Sequence, residues 1–485
     1  MADTLKHKMF SGMFWSGLGQ VWNLGVNFVI SLILARLLMP KDFGIVAIVG
    51  VFVAVCSVFI DSGFGSALVQ RKDLRPEDCS SVFFLNLTIA IILYFGLFIA
   101  APYVAQFFHK SILTLCVRIA SLTLIIGSLS IVQNAMVYRE LRMHIYFRMT
   151  IIAQSISGIV GITMAYCGFG VWALIAQTLL RSVFITVLLW LWGAWRPVLR
   201  ISFQRLKELF QYGWKLSCSS ILDCFYNNMY PILFGKLFDF STLAYYNRGD
   251  HIPNLGMGII NNTINSVLFP SFSKIQNDRE QMARVMKKVQ SGIFFFVIPA
   301  MTLLCLISEP LIVLLFKEKW LQTVPYMRIF CFVYMLYPFH TSNLSLLQAC
   351  GRSDVFLILE IIKKVQAVIC VLLTYRYGPM VMVYGVAVIS VFGAIENSWM
   401  SRKLIGFGIV KQFLNIFPHI AISLFCAIAG WFVCKICAGV WSKTILTSLC
   451  FGVLYLGISF VFKQIPIDMI QLVLAKLPFG KRSEV

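Results

Sequence analysis

The chain has 485 residues, of which 59% are hydrophobic and only 13% charged. Soluble domains carry roughly a quarter of their residues as charges, so this composition excludes a water-soluble fold. The formal net charge of +21 would point to nucleic acid in a soluble protein. Here the basic residues sit in short loops between apolar runs, which points to membrane topology and anionic headgroups instead, and nucleic acid is not expected as a partner.

A bilayer span needs about 20 mainly apolar residues, and such runs follow one another along the whole chain. The N-terminal segment Met1 to Met9 is polar and basic, and the apolar run behind it lacks a small-residue cleavage pattern, so it reads as a retained first span. About fourteen spans are predicted, with cores near 13–35, 43–66, 82–105, 112–134, 149–167, 171–193, 211–234, 248–270, 289–315, 323–348, 355–376, 380–400, 412–435 and 441–462. No loop is long enough for a folded domain outside the membrane. The even-numbered connections are rich in Lys and Arg, as in Arg71, Lys72 and Arg75, in Arg196, Arg200 and Arg205, and in Lys274, Arg279, Arg284, Lys287 and Lys288. The odd-numbered ones carry far fewer, which predicts cytoplasmic termini at both ends.

The chain repeats itself at an offset of 200 residues. Gly19, Asn23 and Asn27 fall on Ser219, Asp223 and Asn227, and Ala35-Arg36-Leu37-Leu38 falls on Gly235-Lys236-Leu237-Phe238. Each half would hold six spans. Six is even, so both halves enter the membrane the same way, and their pseudo-two-fold axis is expected along the membrane normal. The expected divisions are an N-lobe over 1–194, a linker over 195–210, a C-lobe over 211–403, and a C-terminal pair of spans with a basic tail over 404–485. The fold class is therefore an all-α polytopic membrane protein. The linker is amphipathic through Leu199, Phe203, Leu206 and Phe210 and is expected on the cytoplasmic surface.

Polar residues form stripes inside the spans. At 100° per residue Ser16, Gly19, Gln20, Asn23, Asn27 and Ser31 share one side of the first span. Lys215, Ser219, Asp223, Tyr226, Asn227 and Tyr230 do so in the seventh, and Asn247, Asp250, Asn254, Asn261 and Asn265 in the eighth. Such stripes either glue helices together or line a water-filled cavity; three of them, two at repeat-equivalent positions, favour the cavity. Asn23, Asn27, Asp223, Asn227, Asn261 and Asn265 are its expected polar lining.

Charges inside spans are costly and usually face a cavity or a partner. Arg181, Lys215, Lys363, Lys364, Arg118 and Arg248 are the candidate substrate-binding cations, against Asp61, Asp223, Asp250, Glu360 and Glu396. Glu360 and Lys364 could instead form a helical i,i+4 pair, and Arg118 and Arg328 could snorkel to the interface. The cation excess predicts an anionic cargo, for which a pyrophosphate fits the donor chemistry of Arg and Lys. Asp61, Asp223 and Asp250 are candidates for coupling to H⁺ or Na⁺. The Cys434/Cys437 pair has metal spacing but no second pair or nearby His, the six histidines are scattered, and no Gly-rich phosphate loop is present. No metal, cofactor or catalytic group is expected.

Several stretches resemble the polysaccharide transporter branch of the multidrug/oligosaccharidyl-lipid/polysaccharide exporter superfamily. They are Gly12 to Trp15, Ala35 to Gly44 (ARLLMPKDFG), Asp61 to Lys72 (DSGFGSALVQRK), Tyr245-Tyr246-Asn247-Arg248, and Phe269 to Gln276 (FPSFSKIQ). The resemblance implies a bacterial inner-membrane flippase. Its cargo would be undecaprenyl-pyrophosphate-linked oligosaccharide, moved from the cytoplasmic to the periplasmic leaflet by alternating access through a cationic cavity. It would act as a monomer beside polysaccharide assembly proteins and membrane lipids. A cation-coupled multidrug exporter of the same fold is the alternative, and a membrane glycosyltransferase or polymerase, which would need a long outer loop, is the more distant one.

Overall fold

The computed structural model describes residue 19 and residues 22–465 apart from 62, 72, 194 and 199–201; for 203, 204, 207–217, 259 and 262–267 only the backbone is described. Ser16 and Gln20 of the first stripe therefore lie outside the described residues, as do the side chains of Lys215 and Asn265. The described residues hold helices and no strand. That follows from the composition, because in hydrocarbon a backbone must satisfy its own hydrogen bonds and a helix does so within one segment.

The helices, in chain order, are α1 (Trp22–Leu37), α2 (Pro40–Asp61), α3 (Phe64–Gln70), α4 (Pro76–Phe107), α5 (Ile112–Ala120), α6 (Leu122–Arg139), α7 (Met143–Tyr166), α8 (Val171–Trp192), α9 (Phe203–Leu237) and α10 (Phe240–Lys274). They continue with α11 (Arg279–Leu306), α12 (Ser308–Phe316), α13 (Thr323–Ala349), α14 (Ser353–Thr374), α15 (Pro379–Ile405), α16 (Ile409–Ile436) and α17 (Val440–Val461). A helix lies at each expected span. By length and apolarity alone, nine helical stretches of the described residues qualify as membrane-crossing. α9, α10, α13 and α14 are not among them, and the described part of α1, Trp22–Leu37, is apolar but shorter. α14 carries Glu360, Lys363 and Lys364, α9 carries Asp223, and α10 carries Arg248 and Asp250; these charges dilute the apolarity of the helices that hold them. The 200-residue repeat reappears in the helix boundaries, since α1 ends at Leu37 with α2 starting at Pro40, and α9 ends at Leu237 with α10 starting at Phe240.

The described chain forms two compact units, Met1–Ala244 and Tyr245–Val485, and the division falls within α10. In the first unit one core joins α3, α4 and α6 through Phe64, Leu68, Val82, Phe83, Val132 and Ala135. A second joins α1, α7 and α8 through Ile30, Leu34, Ala165, Ala173 and Leu174. Lipid tails are as apolar as Leu, so these contacts are held by close packing more than by a hydrophobic drive. Gly158 shows how close: a Cβ there would stand 2.2 Å from Ile30 Cδ1. α9 packs on α2, α3 and α4 in this unit.

In the second unit Leu268, Phe272, Met282, Met286, Leu346 and Ile405 join α10, α11, α13 and α15. The last two helices pack on α11, through Phe295, Ile422, Cys426, Phe451 and Tyr455. They are also fastened by polar groups. Gln290 Nε2 donates to Ser342 Oγ (2.8 Å) and Gln412 Oε1 (3.1 Å), and Gln412 Nε2 donates to Asn343 Oδ1 (3.0 Å) and to the carbonyl of Phe407 (2.8 Å). All four side chains are fully buried.

Candidate functional site

The polar groups of the first unit divide into paired and unpaired. Asn27 Nδ2 donates to Asn23 Oδ1 at 2.6 Å, and Gln154 Nε2 on α7 donates to Asn27 Oδ1 at 2.6 Å. Asn23 and Asn27 thus tie α1 to α7 through a glutamine that the stripe on α1 could not reveal. Asp61, at the end of α2, accepts from the backbone N–H of Gly65 at 3.4 Å. Arg118 donates its Nε to the carbonyl of Phe98 at 3.2 Å and lies 4.1 Å from that ring's centroid, so it is seated on α4. Asp223 and Asn227 are exposed on α9.

Arg181 is different. It sits in the middle of α8, half-buried, with its Nε buried and without a hydrogen-bond partner. No ion pair reaches it among the described residues. A guanidinium offers five donors in a planar fork, so an anion entering here meets a charged group whose donors no carboxylate has claimed.

One strongly paired carboxylate does lie in this unit, at the start of α4. Pro76 opens the helix at its first position, where a missing N–H costs nothing. Asp78, 0% exposed, accepts from the Arg75 backbone N–H at 2.9 Å, and both its oxygens take Arg205 Nη1 at 3.0 Å. Val198 and Ser202 donate backbone N–H groups to Ser80 and Ser81 (2.9 Å each), and Gln133 Nε2 donates to the carbonyl of Trp195 (2.8 Å). Trp195, Val198, Ser202 and Arg205 are therefore stapled to α4 and α6. Sequence reasoning missed Asp78 and Arg205, which stand far apart in the chain.

In the second unit the interior cation Lys363 is compensated. Lys363 Nζ pairs with Glu360 Oε1 at 2.9 Å, with side-chain exposures of 15% and 33%. Lys364 is half-buried one residue on. Gln366 donates to Glu396, and Asn397 Nδ2 lies 3.2 Å from His340 Nδ1. Asp250 accepts from the hydroxyl of Tyr334 at 2.7 Å, and Asn261 Oδ1 from Thr341 Oγ1 at 2.9 Å. Arg248, 9% exposed, stands 4.9 Å from the ring centroid of Phe316 and 5.2 Å from that of Trp320, which is cation–π seating. Next to it Gly249 lets α10 touch α13, since a Cβ there would stand 2.7 Å from Tyr326 Cβ and 2.9 Å from the Met327 nitrogen.

The structure thus brings Glu360, Lys363, Gln366, Glu396, His340 and Asn397 together where α13, α14 and α15 meet. Arg118 and Arg248 are taken separately onto aromatic rings. Among the described residues no three His, Cys, Asp or Glu side chains gather as a metal site. Cys434 and Cys437 are free thiols.

Comparison with known proteins agrees on the family. Residues 33–325 match the model of the polysaccharide biosynthesis protein family. The lipopolysaccharide biosynthesis protein WzxC of Escherichia coli K12 is 24% identical over 358 residues, 73% of this chain and 72% of that one. The teichuronic acid biosynthesis protein TuaB of Bacillus subtilis is 23% identical over 424 residues, 87% and 88% of the two chains. Among solved structures, the lipid II flippase MurJ in an inward closed conformation superposes with a TM-score of 0.72 at 15% identity, covering 94% of this chain and all of that one, a likeness of fold. The matched model spans more than half of the sequence, and the chain belongs to the polysaccharide biosynthesis protein family.

Proposed function

We propose that this protein is a flippase that moves undecaprenyl-pyrophosphate-linked oligosaccharide from the cytoplasmic to the periplasmic leaflet by alternating access. It resides in the bacterial inner membrane with both termini in the cytoplasm. The observation that carries the reading is Arg181, an interior cation without an anionic partner, in a family of polysaccharide biosynthesis proteins with the fold of a lipid II flippase. Arg181 and Lys215 take the pyrophosphate through charge-assisted hydrogen bonds. Lys363 and Lys364 meet it later in the path, once Glu360 releases Lys363. Arg118 and Arg248 position helices from their ring seats.

The drive is electrical. A pyrophosphate carries about two negative charges, and each is worth about 2.3 kcal/mol per 100 mV. With the cell interior negative, outward flipping runs downhill by roughly 4–5 kcal/mol at 100 mV. The empty carrier must then return with its cations uncovered, and Asp61, Asp223 or Asp250 assists by pairing or by taking up H⁺ or Na⁺.

Proteoliposomes loaded with fluorescent undecaprenyl-pyrophosphate oligosaccharide test this, with a membrane-impermeant quencher reporting sidedness. Flipping is expected, and an imposed potential of about 100 mV should accelerate it several-fold. Inert lipid-linked substrate together with Na⁺- or H⁺-driven efflux of a cationic dye would assign the protein to drug export.

A further inference from the structure

At the end of the second unit where α11 begins and α15 finishes lies an open depression of about 560 Å³, lined by Arg279, Glu280, Arg284, Arg402, Lys403 and Leu404 among others. Four cations face one carboxylate. None of the three arginines forms an ion pair among the described residues, and Lys403 rests 4.6 Å from the ring centroid of Trp399. The two helix ends are fixed, because Met282 and Met286 of α11 and Ile405 of α15 are buried in one core. Asp278 caps α11 by accepting the N–H of Gln281 at 2.9 Å. The backbone that carries these four exposed side chains is therefore set.

A positive-inside bias requires only a count of Lys and Arg near the span ends. It does not require three guanidiniums to surround one concavity, where like charges repel. We propose that this depression binds a phosphate anion, clamped by Arg279, Arg284 and Arg402, with the ammonium of Lys403 adding charge. Guanidinium forks match phosphate oxygens bidentately. The position, where two apolar helices end beside the exposed Trp399, suits a phospholipid headgroup. Leu404 and Ala283 offer an apolar wall to the glycerol that follows. The orientation proposed above puts this site on the cytoplasmic leaflet. It is separate from Arg181 and holds whether or not the cargo assignment does.

Native mass spectrometry of the full-length protein in detergent, titrated with phosphatidylglycerol and with phosphatidylethanolamine, tests the site. One phosphatidylglycerol should bind well above the rest. R279Q/R402Q should weaken it by about ten- to thirtyfold. K274Q/K287Q removes the same charge from neighbouring exposed positions and should leave it unchanged, and R279K/R402K should recover part of the loss. Inorganic pyrophosphate then distinguishes the sources of phosphate. Displacement of the lipid at millimolar pyrophosphate assigns the site to soluble phosphates as well, and persistence of the lipid assigns it to the headgroup; both keep the phosphate recognition. Equal weakening by the two glutamine pairs, or equal affinity for phosphatidylethanolamine, overturns the proposal.

Discussion

The two compact units handle interior charge in opposite ways. In the first, Arg181 stands in the middle of α8 with a buried, unpartnered Nε. In the second, Lys363 is held by Glu360, Gln366 holds Glu396, and Tyr334 holds Asp250. An uncompensated charge in an apolar setting costs free energy that a fold gains nothing by keeping, so its retention points to a ligand. A compensated charge supports helix packing and becomes available to a ligand only after its partner lets go. In the reading proposed above, the first unit is the one that receives the anion, and the second is the one whose polar groups rearrange.

Asp78 marks the first place to break this contrast, because it is the first unit's own compensated charge. Replacing it with Asn leaves Arg205 beside a neutral group and loosens the hold of α4 on Arg205. Removing one partner of a buried pair costs about 3–5 kcal/mol, and the partial exposure of Arg205 puts this case near 3 kcal/mol. Thermal unfolding in detergent should show Asp78→Asn as the least stable of the variants considered. An unchanged melting temperature would mean that the pair carries no weight.

Arg181→Ala should behave in reverse. Transport should fall by at least about a hundredfold, an effect of roughly 2.7 kcal/mol on the barrier, while stability stays level or rises because an unpaired charge has gone. Lys at this position should recover part of the rate, since charge remains without the fork. Flipping at the normal rate by Arg181→Ala, at normal protein levels, would falsify the role given to this residue.

Next in size is the buried amide network of the second unit. Asn343→Leu strands Ser401 and removes one acceptor from Gln412, which keeps Gln290 and the Phe407 carbonyl, and a stranded polar group costs about 1–3 kcal/mol. Looser seating of α16 should appear as faster hydrogen exchange in its first turns, and exchange like that of the parent would sink the assignment. The smallest effect concerns Lys363 and Glu360. A double-mutant cycle with Ala should give a coupling near 0.5–1 kcal/mol in stability. Glu360→Gln should also raise affinity for a pyrophosphate analogue by freeing the lysine; lower affinity would place Lys363 outside the path.

Much of this was legible in the sequence, and the limit has a physical form. Apolar run length located helices at all the expected spans, because span length is set by the bilayer. The 200-residue offset located matching junctions at Leu37/Pro40 and Leu237/Phe240. The count of spans was less secure, since helices such as α14 pack charge into a stretch that must still be helical. Stripes on α1 and α10 were visible from periodicity, but their partners were not: Asn27 meets Gln154, and Asp250 meets Tyr334, at separations no local pattern encodes. Arg248 reads as a free interior cation until Phe316 and Trp320 fold around it. For Glu360 the i,i+4 neighbour Lys364 was the alternative reading, and a salt bridge forms with Lys363 at i+3, since both spacings bring side chains together on a helix.

The close contact at Gly249 has a mechanical consequence for α10. With backbone against backbone, the first turns of this helix are clamped to α13 and cannot slide without a clash. Farther along, Pro253 and Pro270 each remove one rung of the hydrogen-bond ladder, and proline is where long helices bend. α10 is therefore held twice, at Gly249 against α13 and at Leu268 and Phe272 in the core shared with α11, α13 and α15, and a bend falls to the stretch between, where Pro253 lies.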